Sequence, residues 1–223
     1  MTEENPGTPQ WQERAVERSL GSARQRAITR GGIFIAAAVD LLRTTGKADF
    51  TVQEVVDRSG LSLRAFYQHF ATKDDLLLAL VEETVRLHVT AVRQRVDAEP
   101  TSRAKLVAAL TTLFGSPETD DPASRGMVLF QSHLVATRTD DYAATIAPYV
   151  DTVAEILGSG VADGTFRTDL PVPVLAALVT HTLFSLVDMR ILGVGQPGAE
   201  VTADDIVNWC LAGVLTRPSP TAP

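Results

Sequence analysis

The chain has 223 residues, 45% of them hydrophobic and 21% charged, which provides enough apolar side chain for a sizeable core and argues against general disorder. The N-terminus is acidic and polar, without the basic start and apolar run of an export signal, and no long charge-free apolar stretch predicts a membrane span, so a cytoplasmic protein is expected. The net charge of −7 disfavours nucleic acid on average, but it is unevenly spread: residues 11–73 hold ten Lys and Arg against six Asp and Glu, and residues 74–223 hold ten against nineteen. A basic N-terminal module joined to an acidic body is the distribution expected of a DNA reader with a separate regulatory domain.

Residues 1–23 read as a partly disordered extension and residues 218–223 as a tail, since both ends are rich in proline and small polar residues. Residues 11–20 have the pattern of a short helix, with Arg14, Arg18, Arg24, Arg26 and Arg30 nearby as a basic, solvated face. Residues 24–45 predict a helix with Phe34, Ala37, Ala38, Leu41 and Leu42 on its inner side and Gly46 as its stop. The pair Gly31-Gly32 costs about 1 kcal/mol per glycine inside a helix, which predicts a start near Ile33 or a bend there.

Thr51 and Glu54 form a capping box that starts a helix over 51–59, with Val52, Val55 and Val56 inward. Gly60 ends it, and a second short helix is expected over 62–69. Thr72 is placed to cap a long helix over 73–98, terminated by Pro100, whose apolar face reads Leu76, Leu77, Leu80, Val81, Thr84, Val85, His88 and Val92. Further helices are expected over 102–114, 125–136, 142–157, 172–192 and 203–216. About nine helices and no alternating runs predict an all-α protein.

The segment from Thr51 to Lys73 carries the chemistry. Two short helices joined by Gly60-Leu61-Ser62 form the helix-turn-helix by which a second helix is presented to a DNA major groove. Gly60 can adopt positive φ and close the bend, Leu61 seals the angle, and Ser62 caps the second helix. On that helix Ser62, Leu63, Arg64 and Gln68 lie where they reach base edges, with Phe66 and Phe70 packed inward. Arginine pairing with guanine O6 and N7 is the commonest specific contact.

These residues resemble the tetracycline-repressor-like (TetR) family over residues 30–80. Residues 34–46 are similar to its first helix. Thr51-Val52-Gln53-Glu54-Val55-Val56-Asp57-Arg58-Ser59-Gly60-Leu61-Ser62 is similar to its T-V-x-x-I-A-x-x-A-G-V-S pattern. Leu63-Arg64-Ala65-Phe66-Tyr67-Gln68-His69-Phe70 follows its x-x-x-F/L-Y-x-H/Y-F pattern, and Ala71-Thr72-Lys73-Asp74-Asp75-Leu76-Leu77 continues without a gap. The resemblance implies that Thr51, Tyr67, His69 and Lys73 hold DNA phosphates while the exposed start of the second helix reads bases, and each of these residue types can donate to phosphate. Arg64 stands where the family usually has a small residue, so base preference is not carried over. Gly31-Gly32 replaces polar residues usual at the start of the first helix.

Residues 76–217 hold no comparable motif, though residues 160–170 look like the family's connection before its last two helices. The segment 172–192 is apolar on almost every face, which demands burial on more than one side. With the 203–216 helix and its Trp209, it is expected to pack partly against a second copy, a homodimer that requires a near-palindromic operator. The resemblance further implies that the middle helices enclose a small lipophilic effector. The candidates are Met127, Phe130, His133 and Leu134, with His181 and Phe184 facing them. Repression is the mode it implies.

Two other function classes compete. An enzyme lacks support, because there is no nucleophile turn, glycine-rich phosphate loop or metal-ligand set; Cys210 and the four histidines stand singly, so neither a metal nor a cofactor is expected. A helical carrier is disfavoured by the basic segment before residue 74. The division expected is 24–75 for DNA binding and 76–217 for ligand binding and dimerisation.

Overall fold

The computed structural model describes residues 10–115, 121–195 and 201–216. Of the expected extension 1–23, residues 1–9 lie outside the described residues, as do the tail 218–223 and the loop positions around Pro117 and Gly198; from Gln10 on, the extension is helical and continuous with the helix expected over 24–45. Within them the chain forms α1 (Gln10–Thr45), α2 (Val52–Ser59), α3 (Leu63–Tyr67), α4 (Lys73–Asp97), α5 (Ser102–Phe114), α6 (Pro122–Thr137), α7 (Thr139–Ala162), α8 (Val172–Leu192) and α9 (Ala203–Val214). No strand occurs among the described residues, only an isolated antiparallel bridge between Phe166 and Leu215. The protein is all-α.

α1 corrects the expected start near Ile33: one helix of 36 residues runs through Gly31-Gly32. Burial of Phe34, Ala37, Ala38, Leu41 and Leu42 anchors its second half, and packing of this kind outweighs the propensity cost of the glycines. Residues 24–30 are another matter, since Arg24, Arg26, Ile28 and Arg30 are all exposed.

α3 is shorter than expected because Ser62 is its cap and the chain turns after Tyr67, with the Phe70 amide donating to the Phe66 carbonyl at 2.9 Å. α6 starts earlier than expected: Asp121 accepts from the Ala123 amide, and Pro122, which lacks a donor, sits in the first turn. α7 exceeds 142–157 at both ends. Gly160, buried inside α7, does not stop it; a Cβ there would lie 2.0 Å from the Phe166 ring, so the missing side chain is the seat for that fully buried aromatic.

Two buried clusters fill the interior. One joins α1, α2, α3 and the first half of α4 to Met127, Phe130 and Leu134 of α6 and Tyr149 of α7. The other joins the far half of α4 to α5, α7, α8 and α9. Cys210 lies in the second, and burial pushes its thiol up to about 11, so it acts as a small apolar residue. α4 and α7 run through both clusters, and of the two it is α4 that begins at the helix-turn-helix.

By length and composition α8 is apolar enough to cross a membrane, as core helices of globular proteins also are. Its Leu175, Ala176, Val179 and Leu183 are buried in the second cluster, whereas Val174, Leu178 and Met189 are exposed.

Candidate functional site

The turn between α2 and α3 has the geometry its residues dictate. Thr51 and Glu54 cap each other reciprocally: the Glu54 amide donates to Thr51 Oγ1 at 3.2 Å, and the Thr51 amide donates to Glu54 Oε2 at 2.7 Å. These bonds hold the Glu54 carboxyl below its ordinary value, the backbone bond from Thr51 foremost. Gly60 closes α2 at φ 68°, a left-handed conformation that side chains disfavour. Ser62 then accepts from the Ala65 amide at 3.1 Å and starts α3.

Phe66 fixes the roll of α3. It is fully buried and meets the Phe34 ring edge-on at 5.4 Å, which ties the short helix to α1. An Arg58–Asp40 ion pair ties α2 to the same helix. With Phe66 inward, Ser62, Leu63, Arg64, Tyr67 and Gln68 all face solvent. The Arg64 side chain makes no hydrogen bond or ion pair with any described residue, so its guanidinium is available to an outside acceptor.

Two of the expected phosphate holders are turned inward, which sequence alone did not reveal. His69 is half-buried, and its Nε2 lies 3.1 Å from the Ala27 carbonyl of α1, while Nδ1 is buried without a partner among the described residues. That arrangement selects the tautomer with hydrogen on Nε2, donating to Ala27. Lys73 donates from Nζ to the Ala48 carbonyl at 2.9 Å and stands 5.5 Å over the Phe50 ring. Both side chains brace the domain here. Thr51 and Tyr67 remain exposed.

Behind this surface lies a cavity of about 440 Å³ walled by α1, α4, α6, α7 and α8, with Leu113 of α5 at its edge. Its apolar lining includes Ile35, Leu80, Leu87, Met127, Phe184 and Ile191. Of the six expected effector residues, Met127 and Phe184 line it. Phe130 and Leu134 are buried in the neighbouring cluster. His133 points instead to Asp74, with its Nε2 at 3.3 Å from the carboxylate, and His181 is exposed on α8. A shift in helix register explains the miss: on α6 the face toward the cavity is Ala123, Ser124, Met127, Val128 and Gln131, next to the one chosen from residue type.

Tyr142, Tyr149 and Asp188 also line the cavity and were not singled out in the sequence. The one available signal was Asp188 itself, the single acidic residue of a mostly apolar helix. Burial pushes its carboxyl up to about 6.

Residues 34–80, the span from α1 through the start of α4, match the model of bacterial regulatory proteins, tetR family. Over this span the chain carries a TetR-family DNA-binding domain. The chain is 26% identical over 186 residues to the HTH-type transcriptional repressor KstR2 of Rhodococcus jostii, covering 80% of this chain and 85% of that protein. Its fold is shared with FadR from Bacillus halodurans, a fatty acid degradation regulator, at TM-score 0.69 and 18% identity, covering 82% of this chain and 98% of that one. It is shared too with the transcriptional regulator FadR from Bacillus subtilis in complex with stearoyl-CoA, at TM-score 0.64 and 18% identity over 81% and 95%. The protein is thus a DNA-binding transcriptional regulator, and α2 and α3 form its helix-turn-helix.

Proposed function

We propose that this regulator is a homodimeric repressor that reads a near-palindromic operator through α3 and lets go when a small, largely apolar molecule enters the cavity. The observation that carries the reading is the path of α4. At its start Lys73 holds the loop before α2, and further along Leu80, Val81, Thr84 and His88 form a wall of the cavity. A ligand that favours one position of α4 therefore biases where α3 sits. To turn a 99:1 mixture around, it must prefer the released state by about 5.5 kcal/mol. The repressor name of KstR2 and the acyl-CoA bound to Bacillus subtilis FadR support this direction.

In this reading residues 24–75 are the DNA-binding part and 76–217 the regulatory one. Arg64, Gln68, Ser62 and Leu63 meet bases, and Thr51 and Tyr67 meet phosphates; His69 and Lys73 serve mainly to hold the domain. Dimerisation uses the outward stripe of Val174, Leu178 and Met189 on α8 together with Trp209 on α9, which is 62% exposed in the single chain. Covering these side chains by a second copy removes them from water and sets two α3 helices on one face.

Selection of bound sequences from a random DNA library tests the reading. It should return a two-fold symmetric site with half-sites roughly 34–36 Å apart or a multiple of that. An asymmetric site, or a monomer by light scattering at micromolar concentration, overturns it.

A further inference from the structure

The charges around the cavity do not balance. Four carboxylate or guanidinium groups line it: Arg43, Glu83, Asp121 and Asp188. Arg43 and Asp121 answer each other at 2.8 Å, and Glu83 is answered by Arg86 at 2.6 Å. Asp188 makes no hydrogen bond or ion pair with any described residue. It is half-buried, and loss of water with nothing in its place is what raises its carboxyl to about 6. Together with burial, its charge also raises the Tyr142 phenol.

At neutral pH most of the Asp188 population is nonetheless ionised, which leaves one uncompensated negative charge in an apolar wall. A carboxylate in such a place is costly until something pairs with it. The rings that share the wall are suited to the same partner. Tyr149 and Phe184 pack edge-on with centroids 5.2 Å apart, and Tyr142 stands in the same lining. Aromatic faces attract ammonium groups, and they do so more strongly where water is excluded. An anionic head group would meet repulsion from Asp188, and Arg43, the lining guanidinium, is already matched by Asp121.

Resting on the reading of this cavity as the effector site, we propose that its ligand is a lipophilic amine whose ammonium pairs with Asp188 while its apolar part lies against Met127, Leu80 and Phe184. Asp188 is then the residue that sets ligand class, and a cavity of 440 Å³ has room for a molecule of drug-like size.

The test uses the full chain and three probes of one shape, 1-decylamine, 1-decanol and decanoate, titrated calorimetrically at pH 7.5. The amine should bind more tightly than either of the others by about tenfold or more. Asp188→Asn should abolish that advantage while decanol binding is retained, and Asp188→Leu should do the same should the amide prove unstable. Decanoate or decanol binding as well as the amine, an amine preference unchanged in Asp188→Asn, or no amine binding overturns the proposal. Operator release is read separately on the same samples. Binding through Asp188 without release keeps the ligand class and overturns the effector reading; release by decanoate but not by the amine keeps the effector reading and overturns the ligand class.

Discussion

Arg138, at the junction of α6 and α7, donates from Nη1 to Asp75 Oδ1 at 2.8 Å, while the other oxygen of the same carboxylate accepts from the amide and hydroxyl of Thr72, each at 2.9 Å. A single side chain therefore caps the helix that leaves the helix-turn-helix and fastens that cap to the regulatory body. His133 reaching Asp74 adds a second link at the same place. The Asp75 carboxyl is held below its ordinary 3.8, by Arg138 first and Thr72 next.

Arg138→Ala should cut this link while leaving the Thr72 cap intact. Because the pair is partly solvated, the loss of thermal stability should be small. Its pH dependence has a definite sign. The lowered carboxyl contributes stability above its ordinary 3.8 and loses it as pH falls through the lower folded value, so wild type and variant should converge in acid. The larger effect expected is on coupling: operator affinity without ligand nearly unchanged, ligand-driven release altered several-fold. Denaturation scans across pH and operator titrations with and without ligand check both.

Gly126 is where α6 lies directly on the end of α1. A Cβ there would stand 2.7 Å from Leu42 Cδ2 and 3.2 Å from the Lys47 amide nitrogen. The Lys47 backbone has little freedom to yield, so Gly126→Val should destabilise the protein by about 1–3 kcal/mol despite the better helix propensity of valine. Urea unfolding measures this, and a neutral result would mean that α6 can slide on α1.

Arg64 and Lys73 should separate in mutagenesis. Arg64 is exposed and without a described partner, so Arg64→Ala should leave stability unchanged and cost about 1–3 kcal/mol on the preferred operator only. Lys73 holds the Ala48 carbonyl and covers Phe50, so Lys73→Ala should lower the melting temperature and weaken binding to every sequence alike. Thermal unfolding beside gel shifts on specific and random DNA distinguishes the two patterns; equal losses on both DNAs for Arg64→Ala would remove it from base reading.

Asp188 should make stability fall as pH rises. Its folded carboxyl is raised from 3.8 to about 6, so the native state binds its proton more tightly than the unfolded chain and loses that advantage across this interval. Asp188→Asn should therefore stabilise the protein at pH 7.5 and bring no gain at pH 4. With the group partly solvated, the gain should be no more than about 1 kcal/mol after screening. Melting curves at the two pH values decide it.

The sequence by itself determined the helix-turn-helix, because its signals are local: the Thr51–Glu54 box, the left-handed turn at Gly60, the Ser62 cap and the spacing of Phe66 are each set by neighbours a few residues away. The apolar face of α4 and the span of α8 were legible for the same reason, since periodicity needs only the helix itself. What only the tertiary structure decided depends on contacts between distant segments. Gly31-Gly32 reads as a break until the buried face of α1 outweighs it. His69 and Lys73 read as phosphate donors until α1 and the Ala48 carbonyl take them. On α6, residue type pointed to Phe130 and His133, whereas the roll of the helix, set by the contact at Gly126 with Leu42, turns Met127 and Gln131 toward the cavity. The unpaired state of Asp188 follows from what the other four walls do and do not offer it, and no stretch of sequence around α8 contains that information.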